Sequence, residues 1–212
     1  VLGESALDAS VSGGNNTAIG QNTLTVLTSG SDNTAVGRNS LDADTSGGNN
    51  TALGSGSLSS NITSHNNTAI GYVALNQSTG GSNTAVGSSA LQLNTTASNN
   101  TGVGFEALKS NTTGAFNISV GAFALDANTT GAGNVGIGHN SLGANTTANH
   151  NSAFGHQSLV LNTTGAQNVA VGAYALDANT TANNNTAVGY FSLSANTTGA
   201  ENTTVGTESL EA

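Results

Sequence analysis

The stretch from Gly121 to Ile137, GAFALDANTTGAGNVGI, decides how this chain is read. The 17 residues before it, GFEALKSNTTGAFNISV, and the 17 after it, GHNSLGANTTANHNSAF, are variations on the same unit. Working outward, the opening glycine recurs at Gly3, Gly20, Gly37, Gly54, Gly71, Gly87, Gly104, Gly121, Gly138, Gly155, Gly172, Gly189 and Gly206. Every interval is 17 residues except the 16 between Gly71 and Gly87. Residues 1–212 therefore read as one repeat array without separate domains, and a fixed period of this kind takes priority over any local signal.

With the opening glycine as position 1, position 5 is Leu in all thirteen copies and position 14 is Asn in all twelve. Position 17 is always apolar and position 16 is almost always Ala, Ser or Gly. Helix is excluded, because Asn-Thr-Thr-Gly turns and fixed glycine columns are poor helix formers. Alternation over short runs indicates strands instead. One strand is expected at positions 14–17 and a second at positions 4–7, with turns at the opening glycine and at Asn-Thr-Thr-Gly.

Two short strands and two turns per unit make one coil of an all-β, parallel β-solenoid or β-roll of about twelve coils, each strand pairing with its counterpart about 4.8 Å away. Internal ladders are expected from Leu108, Leu125, Leu142, Leu159 and Leu176, and from the position-17 residues, Val171 and Val188 among them. An Asn ladder is expected from Asn117, Asn134, Asn151, Asn168 and Asn185, each amide bonding to the copies above and below. With position 17 inward, the small position-16 column, Ala153, Ala170 and Ala187, faces outward and is the expected contact between subunits. A core of two large apolar side chains per coil, with no cysteine in the chain, makes such assembly the natural supplement.

Composition removes other classes. Gly, Asn and Thr fill 90 of 212 positions, and only 6% of residues are charged. Two basic residues, Arg38 and Lys109, are too few for a protein that neutralises nucleic-acid phosphates. No apolar run approaches the length of a membrane helix. Zero Cys excludes a disulfide framework and a thiolate metal site. The chain lacks an initiator Met and a leader pattern, and it opens at position 16 and closes at position 7 without a cap. A processed chain or a fragment is expected, and Val1 and Ala212 as uncapped ends suggest head-to-tail joining.

Asn67-Thr-Ala-Ile-Gly-Tyr-Val-Ala-Leu75 and Asn185-Thr-Ala-Val-Gly-Tyr-Phe-Ser-Leu193 are similar to the Asn-Ser-Val-Ala-Ile-Gly repeats in head domains of trimeric autotransporter adhesins. They resemble even more the repeats of phage tail-fibre-like proteins. The resemblance spans essentially the whole chain. It implies a left-handed β-roll, three chains about one axis, and an extracellular place on a cell surface, filament or virion. The adhesin-head coil is shorter than 17 residues, so the Asn-Thr-Thr-Gly turn is an enlargement.

Site chemistry is sparse. Asp8, Asp42, Asp126 and Asp177 share position 6 but come from non-neighbouring coils, so they do not form an acid–base pair. No catalytic, cofactor or metal site is expected. His139 and His156 share position 2 of adjacent coils and are expected to stack. Tyr72, Phe105, Phe123, Tyr174, Tyr190 and Phe191 sit at positions 2 and 3 and are the candidate surface for recognition of a host surface or glycans. The sequons at position 8, Asn61, Asn94, Asn111, Asn128, Asn145, Asn162, Asn179 and Asn196, are candidates for glycosylation, with plain turn chemistry as the competing reading.

The expected function is non-enzymatic: a structural segment of an extracellular fibre, adhesin or tail fibre, assembling as a homotrimer or a head-to-tail filament. The alternative is an ice-binding β-solenoid. Against it, the Thr residues at positions 9 and 10 are consecutive and would face opposite ways in a strand, whereas an ice-facing surface needs pairs two residues apart.

Overall fold

The computed structural model describes residues 2–210; Val1, Glu211 and Ala212, and with them the outermost ends invoked for head-to-tail joining, lie outside the described residues. The chain is an all-β parallel solenoid with no helix among the described residues. Twelve three-residue strands, β1 (Thr17–Ile19) to β12 (Thr203–Val205), occupy repeat positions 15–17. They form one sheet in strict sequence order. Every junction is parallel and in the same register, as in Thr101↔Ile118, Gly102↔Ser119 and Val103↔Val120. The 16-residue spacing leaves this register intact, because β4 (Thr68–Ile70) still pairs Thr68↔Thr84 with β5 (Thr84–Val86).

The strand faces the other way from expectation. Position 16 points inward: Ala153, Ala170 and Ala187 are wholly buried. Positions 15 and 17 point outward; Val171 is 37% exposed and Val188 is half-buried. The alanines are thus part of the core rather than a subunit contact, and the two valines do not belong to an internal ladder. The reason is room. A Cβ built on Gly102 at position 16 would lie 3.3 Å from Cγ and Cδ1 of Leu91, and one on Gly136 would lie 3.3 Å from the same atoms of Leu125. The position-5 leucine fills the section, so the strand residue beneath it has space for little beyond a methyl group. The Leu ladder itself stands where the pattern placed it: Leu108, Leu125, Leu142, Leu159 and Leu176 have no exposed surface.

The second strand, expected at positions 4–7, is a turn. Positions 1, 3 and 5 all have positive φ, as in Gly121 (133°), Phe123 (57°) and Leu125 (50°). A left-handed Leu costs roughly 1–2 kcal/mol. Hydrogen bonds in both axial directions offset it: Phe123 N–H donates back to Phe105 O at 3.0 Å, and Leu125 N–H donates forward to Ser141 O at 3.0 Å. The opening glycine is required twice over. Beyond its φ, a Cβ on Gly104 would sit 2.6 Å from the carbonyl of Gly121 in the next coil.

Two polar ladders complete the interior. At position 14 the amides mostly bond backbone: Asn117 Oδ1 accepts the N–H of Asn134 at 2.9 Å, and Asn117 Nδ2 donates to Gly131 O at 2.8 Å. The same arrangement recurs at Asn151, Asn168 and Asn185. Each Asn therefore ties its coil to the next mainly through main-chain groups, and the direct amide-to-amide bond expected there is secondary, at 3.2 Å for Asn134 to Asn117. Amide-to-amide stacking is the rule instead at position 8, where Asn111, Asn128 and Asn145 each donate Nδ2 to the preceding Asn Oδ1 at 2.8–2.9 Å.

Candidate functional site

The position-8 ladder removes the sequon reading. Asn61, Asn94, Asn111, Asn128, Asn145, Asn162 and Asn179 are wholly buried. The Nδ2 that would carry a glycan donates to a position-11 carbonyl in the same coil, at 2.9 Å from Asn111 to Gly114 O, and in most copies to the preceding amide as well. Asn196, near the last coil, is half-buried but keeps the same bond to Gly199 O at 2.9 Å. Glycosylation at the buried positions is incompatible with the folded coil. The signal available in the sequence was the unbroken run of Asn from position 94 to 196, more uniform than a solvated turn requires.

The aromatic residues form a file along one edge of the rod. Phe105 meets Phe123 edge-on at 5.3 Å, and Phe123 meets His139 at 6.0 Å. His139 stacks on His156 at 5.2 Å, and His156 meets Tyr174 at 5.3 Å. Tyr174 stacks on Phe191 at 4.6 Å, which meets Tyr190 edge-on at 4.6 Å. Six consecutive coils are joined this way, and the two histidines belong to the file. Tyr72, 63% exposed, stands apart in a shallow groove with Arg38, Asn39 and Asp42. Rings that turn faces or edges to each other act partly as an external rib, since such pairs contribute about 0.5–1.5 kcal/mol beyond burial.

The acidic residues stay dispersed. Burial pushes the carboxyls of Asp42, Asp126 and Asp177 above the usual range, with backbone N–H groups partly offsetting it. Asp126 also senses Glu106 in the preceding coil, which is paired with Lys109 at 3.0 Å. Among the described residues no three His, Asp or Glu converge in a metal-binding group. Comparison of the chain with known protein families, curated proteins and solved structures finds no match.

The threonines divide into two populations. At position 9 the hydroxyls bond to the next coil: Thr112 Oγ1 donates to Thr129 O at 2.9 Å and Thr129 Oγ1 to Thr146 O at 3.0 Å, and the pattern continues along the array. At position 15, eight of twelve residues are Thr. These point outward beside the position-17 column, and none of their hydroxyls bonds to the protein among the described residues. The pairs two residues apart that positions 9 and 10 could not supply are present here, on the sheet. This face was missed because position 17 was assigned to the core.

Proposed function

We propose that this chain is a non-enzymatic structural segment of an extracellular fibre, of the adhesin or tail-fibre kind. It is a rod that sets distance and displays repeated side-chain columns. The observation that carries the reading is the uniformity of the coil-to-coil contact. The same parallel register recurs at all eleven junctions, and the buried amides join coil to coil along the axis. These buried amides are thus committed to holding the rod rather than to a reaction centre. A contact repeated by translation is heterologous and open-ended, which favours head-to-tail association of copies over a closed trimer. The inward position of Ala153, Ala170 and Ala187 removes the small-residue stripe as an argument for lateral trimerisation.

Immunogold electron microscopy of the source material, with antibodies to this chain, tests the proposal. Label running along surface fibres supports it. Label confined to the cell interior, or on compact particles, overturns it.

A further inference from the structure

The outward face of the sheet repeats in two dimensions. Along the axis its rungs recur about every 4.8 Å, and across the strand positions 15 and 17 lie about 6.6 Å apart. From β1 to β6 (Thr101–Val103) every rung is Thr followed two residues later by Ile, Val or Leu, as in Thr51/Leu53, Thr68/Ile70 and Thr84/Val86. Neither column holds a charged residue in any of its twelve copies. Register is the same at every junction, and each position-14 Asn Oδ1 accepts the backbone N–H of the next, which holds successive coils in place. Hydroxyls and methyl groups are therefore presented on a fixed grid.

Strand formation does not demand those hydroxyls. Val serves as well in a strand and stands at position 15 in Val135 and Val169. The position-9 threonines show what a hydroxyl bonded to the next coil looks like in this molecule; among the described residues the position-15 threonines make no such bond to the protein. Two partners are available to such a face, another protein surface or water. From β1 to β6 the face measures roughly 25 Å by 10 Å, about 250 Å², well short of the about 800 Å² per partner of a stable protein contact. A dry contact would also strand hydroxyls at about 1–3 kcal/mol each. Ordered water meets neither objection. A surface that repeats in two directions suits an ordered layer of water, and a rigid grid loses little entropy on binding.

We propose that the β1–β6 half of the sheet is an ice-binding face, with the Thr hydroxyls anchoring lattice water and the Ile, Val and Leu side chains ordering water between them. This goes beyond the fibre reading and does not depend on it: a surface rod bearing such a face would hold its carrier to ice or restrain ice growth.

The test is ice-recrystallisation inhibition and ice-crystal shaping by the full chain, with circular dichroism and light scattering on the same samples. The parent is expected to arrest recrystallisation. Thr68→Lys should lose that activity with its β spectrum unchanged, and Thr51→Val/Thr68→Val/Thr84→Val should weaken it. Thr130→Lys, on the exposed position-10 row, should match the parent. If Thr68→Lys loses β structure, the triple Val variant, which keeps strand preference, decides. A parent with no effect on ice, while microscopy still shows rods, overturns this inference and leaves the fibre reading standing. Equal activity of Thr68→Lys and the parent overturns it, as does a parent oligomer that Thr68→Lys dissociates.

Discussion

The two halves of the rod share one backbone and differ most sharply in one internal column. From Asn94 to Asn179, position 8 is a continuous run of buried asparagines, each amide bonded to the one before. In the preceding coils the same column reads Leu27, Asp44, Asn61 and Ser78, all buried. The polar breaks leave unpaired atoms: Asp44 Oδ2 and Asn61 Oδ1 have no hydrogen-bond partner. Leu27, by contrast, asks for none. The coil path survives these changes because the Leu column, the opening glycines and the position-14 amides run through both halves. Fold and local stability are therefore separable here. The shared columns hold the path, and the position-8 column sets how firmly each coil is held.

The largest effect should come from what the halves share. Leu125→Ala and Leu58→Ala are each expected to cost about 2–5 kcal/mol, measured by chemical denaturation followed by circular dichroism. A large loss in one half only would mean that the Leu ladder is not common to both.

Next comes the amide column itself. Asn128 donates to Asn111 and to Gly131 O and accepts from Asn145, so Asn128→Ala should cost about 1–3 kcal/mol through the partners it strands. Asn61 keeps one bond, to Ser64 O, and Asn61→Ala should cost less in the same assay. Equal costs would remove the distinction between the halves.

Asp44 sharpens the comparison through pH. Burial raises its pKa from 3.8 to about 6, against the opposing pull of the Gly47 N–H and the nearby His65. The fold favours the protonated acid, so its contribution is greatest below pH 3.8 and is lost as pH rises toward about 6. Asp44→Asn restores the donor found at this position in the other half. Denaturation midpoints across pH 3.5 to 7 should fall for the parent relative to Asp44→Asn, with the gap widest near neutrality. A constant gap would show that Asp44 does not titrate in this window.

The smallest effect is expected at Val171, which is 37% exposed. Val171→Ala should shift stability by less than about 1 kcal/mol, well below the loss for Leu176→Ala.

The period, the parallel solenoid and the Leu ladder were legible because each is carried by an invariant, bulky or glycine position. The inside–outside sense of the strand was not. Alternation states that Ala170 and Val171 face opposite ways, but not which one faces in. That choice is made by the space beneath Leu176 and its copies, a tertiary quantity. The left-handed leucines were illegible for a related reason. Apolar–polar alternation at positions 4–7 looks the same whether the backbone is extended or turning, and only the bonds at Phe123 and Leu125 tell the two apart. Position 8 was read as turn chemistry, since Asn-Thr-Thr suits a turn as well as a ladder.

The inside–outside assignment supports everything said of the faces, and the absence of cysteine makes it directly measurable. Ala170→Cys and Val171→Cys, prepared separately in the full chain, differ by one residue along β10 (Val169–Val171). Thiol labelling under native conditions should modify Val171→Cys rapidly and leave Ala170→Cys protected until denaturant is added. Rapid labelling of Ala170→Cys with Val171→Cys protected, both variants retaining β structure, would contradict the account and return the alanine column to the surface.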